Sequence, residues 1–112
     1  DMCLKLPCLD QAKVMSLRLG STGALAEAIA AQINKVLRFS LQHALLVQLE
    51  TQVCVTTNFD MLYEKAAAAA NLTCEVLPAL KAKPIRPSGQ PDRRIVKMHG
   101  CTSEPTTLLL TR

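Results

Sequence analysis

The chain has 112 residues, 49% of them hydrophobic and 20% charged, a balance that excludes an intrinsically disordered polymer and fits one small domain or part of a larger one. Two Phe, one Tyr and no Trp leave the core to Leu, Val, Ile and Ala, and a net charge of +4 with a pI near 9.0 does not by itself argue for nucleic acid. Five cysteines with no C-x-x-C pair indicate neither a disulfide framework nor a zinc knuckle and fit reduced thiols in an intracellular, cytoplasmic protein.

No basic stretch followed by an apolar core follows Asp1, and Glu27, Gln32, Lys35 and Arg38 interrupt the longest candidate for a membrane span. Leu108-Leu109-Leu110-Thr111 reads as a strand, so both ends are expected to be cuts through a larger domain. A short helix is predicted from an Asp10 N-cap to a Gly20 stop, with Cys3 and Cys8 as small apolar residues. Ser21 or Thr22 caps a second helix running to about Arg38. Leu25, Ile29, Ile33, Val36 and Leu37 fall on one of its faces, beside Ala24, Ala28 and Ala31. Ser40 opens a third helix with Leu41, Leu45 and Leu49 spaced by four; His43 on it is given no role.

The stretch Gln52 to Ala70 organises the chain. Val53-Cys54-Val55-Thr56-Thr57 is apolar and β-branched and reads as a buried strand. It turns through Asn58-Phe59-Asp60 into a run of strong helix formers, Met61 to Ala70. Asp60 fits the N-cap, where its carboxylate accepts from free N–H groups at the positive end of the helix dipole. Thr56, Thr57, Asn58 and Asp60 thus lie where a strand ends, the place where open α/β sheets bind ligands.

Asn71 stops the helix, and Thr73 to Leu77 reads as a short strand. Residues 78–94, with Pro78, Pro84, Pro87, Gly89 and Pro91, read as a loop. From Lys81 to Lys97 the chain carries six of its thirteen basic residues and one acid, Asp92, which reads first as a solvated basic loop and second as a loop that meets phosphates or an acidic partner. Ile95 to Met98 is the next strand, closed by His99-Gly100-Cys101 and a polar turn before the Leu108–Thr111 strand. Strands interleaved with helices predict an α/β fold with a mostly parallel sheet. If the strands at 53–57 and 95–98 run parallel, Asn58, Asp60 and His99 emerge at one sheet edge.

Two motifs in this order resemble the sirtuin-like NAD-binding domain, closest to its divergent defence-type NADase branch. The first is Thr56-Thr57-Asn58-Phe59-Asp60-Met61-Leu62-Tyr63-Glu64-Lys65-Ala66, similar to T-T-N-[YF]-D followed by x-L-x-E-x-A. The second is Val96-Lys97-Met98-His99-Gly100-Cys101 followed by Leu108-Leu109-Leu110-Thr111. The resemblance implies a Rossmann-like, mostly parallel sheet with helices. It makes residues 1–112 the central part of one such domain, with residues 1–50 as the helical segment and 51–112 as the β/α segment carrying the site. It implies NAD as substrate or ligand and no metal. Asn58 would contact the nicotinamide ribose, Asp60 would shape that pocket or cap the turn, and Thr56 and Thr57 would line it. His99 would act as general base or hydrogen-bond the ribose hydroxyls. These types suit the chemistry, because cleaving nicotinamide from ribose develops positive charge on the sugar and calls for orienting polar groups and an imidazole.

The family's Gly-rich phosphate loop is not matched, since no strand is predicted before Gly20-Ser21-Thr22-Gly23. Paired C-x-x-C zinc ligands after His-Gly are absent, which disfavours a protein deacylase; Cys101 reads as a packing residue. The expected activity is NAD hydrolysis to nicotinamide and ADP-ribose. The alternative is a non-catalytic NAD- or ADP-ribose-binding or oligomerisation module of the same fold. A sheet lacking its first strand exposes an edge, so marginal stability and homo-oligomerisation are expected.

Overall fold

The computed structural model describes residues 5–78 and 89–110. Three helices come first. Helix α1 (Cys8–Arg18) starts two residues before the expected Asp10 cap, because Pro7 takes the N-cap position and Asp10 falls in the first turn, still facing the positive end of the helix dipole. Gly20, at φ +88°, turns the chain after it. Helix α2 (Thr22–Ile33) is capped by Ser21, whose hydroxyl accepts from the Ala24 N–H at 3.0 Å. It ends at Ile33, short of the predicted Arg38. Beyond Asn34 the backbone bonds tighten from four residues back to three (Lys35 to Gln32, Val36 to Ile33), and the helix unwinds. Val36 and Leu37 consequently lie exposed, outside the face predicted for them.

Helix α3 (Leu41–Val47) is short, and its first turn is closed by His43, whose Nδ1 accepts from the Ser40 N–H at 3.2 Å and lies 2.8 Å from Ser40 Oγ. Its packing face is not the one read from spacing. Leu41, Leu45 and Leu49 are exposed, and Val47 is the buried residue. The cause lies on the partner surface: α4 (Leu62–Ala69) presents Ala66 and Ala67, a shallow seat that Val47 fills with Tyr63 and Leu72 beside it. Arg93 reinforces this choice, its guanidinium donating to the Val47 carbonyl at 3.4 Å.

Strand β1 (Val53–Thr56) precedes α4, and β2 (Cys74–Leu77) and β3 (Arg93–Lys97) follow it. Asn71, at φ +61°, ends α4 as predicted. The three strands form one sheet in the order β1-β3-β2, with both pairings parallel. The register sets Val53 opposite Arg94 and Thr56 opposite Lys97. Strand alternation then gives the sheet two unlike faces. Ile95 and Lys97 point toward α4 and are buried, whereas Val53 and Val55 are 52% and 60% exposed on the other face. The expected buried β1 strand is therefore half open, because no element among the described residues covers that side.

Arg93 and Arg94, read as loop, belong to β3. The basic run is not simply solvated, since Arg94 pairs with Glu75 at 2.7 Å and Lys97 is buried. Lys81, Lys83 and Arg86 of that run, most of the predicted loop, and Cys3 lie outside the described residues. In place of a strand at 108–111 stands a 3-10 turn, Pro105–Thr107, and an extended tail in which Leu108 and Leu110 are buried against Leu25, Ala26 and Ala30 of α2. The aliphatic run was the signal for a strand; here helix α2 covers its buried side. Thr111 lies outside the described residues.

The amino ends of β2 and β3 are clasped by a reciprocal motif. Asp92 Oδ2 accepts from Thr73 N–H at 2.8 Å and Thr73 Oγ1 at 2.7 Å, and the Asp92 N–H donates back to Thr73 Oγ1 at 3.0 Å. The two Thr73 bonds, backbone first, hold the Asp92 carboxyl below the usual carboxylate range. A depressed folded-state value gives stability that is present above the unfolded value and lost as pH falls through the folded one. Asp92→Ala is therefore expected to lower the melting temperature at neutral pH, with the difference from the parent shrinking as the medium is acidified below the carboxylate range. Melts recorded across pH check this; a difference that stays constant into acid contradicts it.

Candidate functional site

Because β1 and β3 are adjacent and parallel with Thr56 opposite Lys97, the residues two positions further on, Asn58 and His99, leave the sheet at the same edge. The strands end in two turns that are stitched together. The Met98 N–H donates to Thr56 O and the Thr102 N–H to Phe59 O, each at 2.9 Å. Cys101 Sγ, buried as expected of a packing residue, lies 3.1 Å from Met61 Sδ. Asn34 Nδ2, at the end of α2, donates to Thr102 O at 3.4 Å.

The first turn is built by its own residues. Thr56 Oγ1 accepts from the Asn58 N–H at 3.1 Å, which bends the chain out of β1. Phe59 drops its ring onto the α2 cluster of Leu25, Ala26 and Ala30. Met61, not the expected Asp60, takes the N-cap position of α4; Asp60 stands one residue earlier and its Oδ1 accepts from the Leu62 N–H at 2.9 Å, closing a local turn and satisfying a free donor of the helix. Asp60 is thus bound up in holding the helix start, with its side chain half-buried. Asp60→Ala is expected to cost about 1 kcal/mol and Asp60→Asn, which keeps the acceptor, clearly less. Denaturant midpoints compare the two, and equal losses would contradict the role of the Asp60 Oδ1–Leu62 bond.

The second turn depends on Gly100. Its φ is +91°, and a Cβ built there would stand 2.2 Å from the Thr107 carbonyl oxygen. That close approach lets the 3-10 turn fold under the His-Gly bend. Thr107 Oγ1 accepts from the Cys101 N–H at 3.0 Å and donates to Glu104 O at 2.7 Å, and the Leu109 N–H donates to His99 O at 3.0 Å. His99 is held by its backbone while its ring stands exposed, edge-on to Phe59 with centroids 6.5 Å apart. Asn58 and Thr57 are exposed as well. Among the described residues neither the Asn58 amide nor the His99 ring makes a side-chain hydrogen bond, so both are available to a ligand.

Three residues that motif reading left without a role complete the arrangement. Phe59 carries the ring against which His99 rests. Lys97 and Glu64 form an ion pair at 2.8 Å, with side chains only 2% and 8% exposed, directly under the two turns. Parity was the available signal: Lys97 is two residues from Ile95 in the same strand, and Glu64 is three from Ala67 on the inner face of α4.

The remaining chemistry-bearing groups serve packing. Burial, with the Glu64 carboxylate next, pushes the Cys54 and Cys74 thiols up, which keeps them protonated. Among the described residues no three His, Cys, Asp or Glu side chains gather as a metal-binding group. A cavity of about 540 Å³ opens at the opposite, amino end of the strands, lined by Glu50, Gln52, Asp92, Arg93 and Arg94 among others. It is remote from Asn58 and His99, and Asp92 and Arg94 are already engaged there with Thr73 and Glu75. Gly20-Ser21-Thr22-Gly23 sits between two helices, and Ser21 is engaged in capping α2.

A parallel sheet with helices, whose paired strands deliver polar turns to one carboxyl edge, is an α/β architecture of the Rossmann-like class. Residues 52–112, just over half of the chain, match the SIR2-like domain family, and the chain belongs to it. No curated protein matches the chain. No helix among the described residues is long and apolar enough to cross a membrane.

Proposed function

We propose that this chain carries the nicotinamide end of an NAD-cleaving site and that the protein hydrolyses NAD to nicotinamide and ADP-ribose. The observation that carries the reading is the parallel β1–β3 register, which brings Asn58 and His99 to the same edge with exposed, uncommitted side chains. The SIR2-like membership supports NAD as the ligand. In the reaction the bond between the nicotinamide nitrogen and ribose C1′ breaks, and its electron pair leaves with nicotinamide. Positive charge grows on the sugar, and a water oxygen bonds to C1′. Asn58 orients the ribose by hydrogen bonds. His99 accepts a proton from the attacking water or from a ribose hydroxyl, and that proton ends in solvent. Thr56 and Asp60 hold the Asn58 turn, and exposed Thr57 lines the approach.

Incubating the longest natural version of this chain with NAD tests the proposal. Nicotinamide and ADP-ribose are expected in equal amounts. A folded protein that releases neither, even when concentrated enough to assemble, overturns the catalytic reading. One observation favours a second reading, a non-catalytic NAD- or ADP-ribose-binding or oligomerisation module. Val53 and Val55 on the open face of β1 and Met98 just past β3 are exposed apolar side chains, a surface suited to a second copy. Binding of NAD without turnover would select that module.

A further inference from the structure

We propose that the buried Lys97–Glu64 pair is the positioning device of this site, fixing the Asn58 turn of β1 against the His99 turn of β3; the inference rests on the NAD-cleaving reading for its activity arm only. Lys97 is the last residue of β3, two before His99, and Glu64 lies one helical turn after Asp60 in α4. The Lys97 ammonium stands 2.8 Å from Glu64 Oε1, donates to the Asp60 backbone carbonyl and has Met61 Sδ at 3.8 Å. All of these partners fall on the turn and helix start that follow Asn58, while the Lys97 backbone leads into His99. A single side chain thereby links the two segments that deliver the site residues.

The choice of the backbone carbonyl is informative. Residues 58–60 belong to neither strand nor helix, so no ladder sets their height above the sheet. Their other ties are the Asn58 N–H bond to Thr56 Oγ1, the Phe59 ring in the α2 cluster and edge-on to His99, the Phe59 O–Thr102 bond and the Asp60 Oδ1–Leu62 bond. None of these reaches from β3 itself; Lys97 does. The pair is also not what stability alone would select. Position 97 shares its face with fully buried Ile95, and Glu64 Oε2 has no hydrogen-bond partner. Taking two charges out of water is costly, and apolar residues of similar volume commonly replace such pairs with no loss of stability. What an apolar pair would not supply is a directed donor to the Asp60 carbonyl.

The test compares the parent with the double variant Lys97→Met/Glu64→Leu and with Lys97→Arg. The apolar pair is expected to fold with a melting temperature at or above the parent's. Its kcat for nicotinamide release should fall at least tenfold while KM for NAD stays within about threefold, because small misplacement of a reacting group lowers the rate more than the binding. Lys97→Arg, which keeps a charged donor, should recover part of kcat. Independently of activity, the amide resonances of Asn58 and Asp60 and the His99 ring resonances should shift or broaden in the double variant, with those of α1 unchanged. If the double variant does not fold, Glu64→Gln, which keeps the shape but loosens the ammonium, carries the same measurements. Parent-like kcat together with unchanged Asn58 and His99 resonances in a folded variant overturns the proposal. A parent without NAD cleavage sinks the functional reading instead, and the resonance arm still decides the positioning role.

Discussion

Replacing His99 by Ala is expected to slow nicotinamide release about 10²–10⁴-fold, the range for removing a positioned general acid or base. The fold should scarcely notice. The His99 ring is exposed, and its backbone carbonyl still accepts from Leu109 in the variant. The substitution removes the edge-to-face packing on Phe59, worth about 0.5–1.5 kcal/mol. Asn58→Ala belongs to the same prediction: an exposed side chain with no internal partner, whose removal leaves the Asn58 N–H to Thr56 bond intact. Large rate losses with melting temperatures close to the parent's are the expected signature. Rate losses that merely track unfolding would argue that the two residues are structural.

Gly100→Ala is expected to do the reverse, damaging the fold first. The substitution places a methyl group 2.2 Å from the Thr107 carbonyl oxygen and 2.5 Å from its carbon, in a backbone conformation of positive φ that side chains disfavour. Neither atom is the end of a flexible side chain, so the 3-10 turn must move as a body. That turn is tied to Cys101 through Thr107 Oγ1, and the tail behind it packs Leu108 and Leu110 on α2. A loss of about 3–5 kcal/mol is expected, combining backbone strain with displaced packing. Against a total stability of about 5–15 kcal/mol for a domain, that is enough to collapse the denaturation midpoint. A midpoint within experimental scatter of the parent's would show that the turn relaxes freely and that Gly100 is not required by its approach to Thr107.

What could be read from sequence and what could not divide along a physical line. Strand β1, helix α4 and strands β2 and β3 were legible because short-range chemistry marks them: β-branched runs, an alanine-rich helix, an Asn stop; the cap read at Asp60 falls one residue later, on Met61. Their parallel pairing followed from the interleaving of helix and strand, and with it the common edge of Asn58 and His99. Tertiary choices were not legible. Leu41, Leu45 and Leu49 make a regular row, yet the alanine seat of α4 accepts Val47 instead. The early end of α2 at Ile33 frees Asn34 to reach Thr102, a bond across 68 positions that no local pattern announces. The aliphatic run Leu108–Leu110 does bury alternate residues, but it answers a helix and not a neighbouring strand. Lys97 was counted among the charges of a basic loop, although its parity with Ile95 already put it on the inner face. The buried charge beneath the site was thus the feature most easily missed.

On the proposed reading, Asn58 and His99 act on one bound NAD at the shared edge of β1 and β3. This joint action is tested most directly by measuring nicotinamide release by the parent, Asn58→Ala, His99→Ala and the double variant under one set of conditions. Residues that serve a single reacting centre are strongly non-additive. The account predicts that the parent turns over, that each single variant loses most of the rate, and that the double variant is little slower than the slower single one. Single variants that both retain the parent's rate would contradict it.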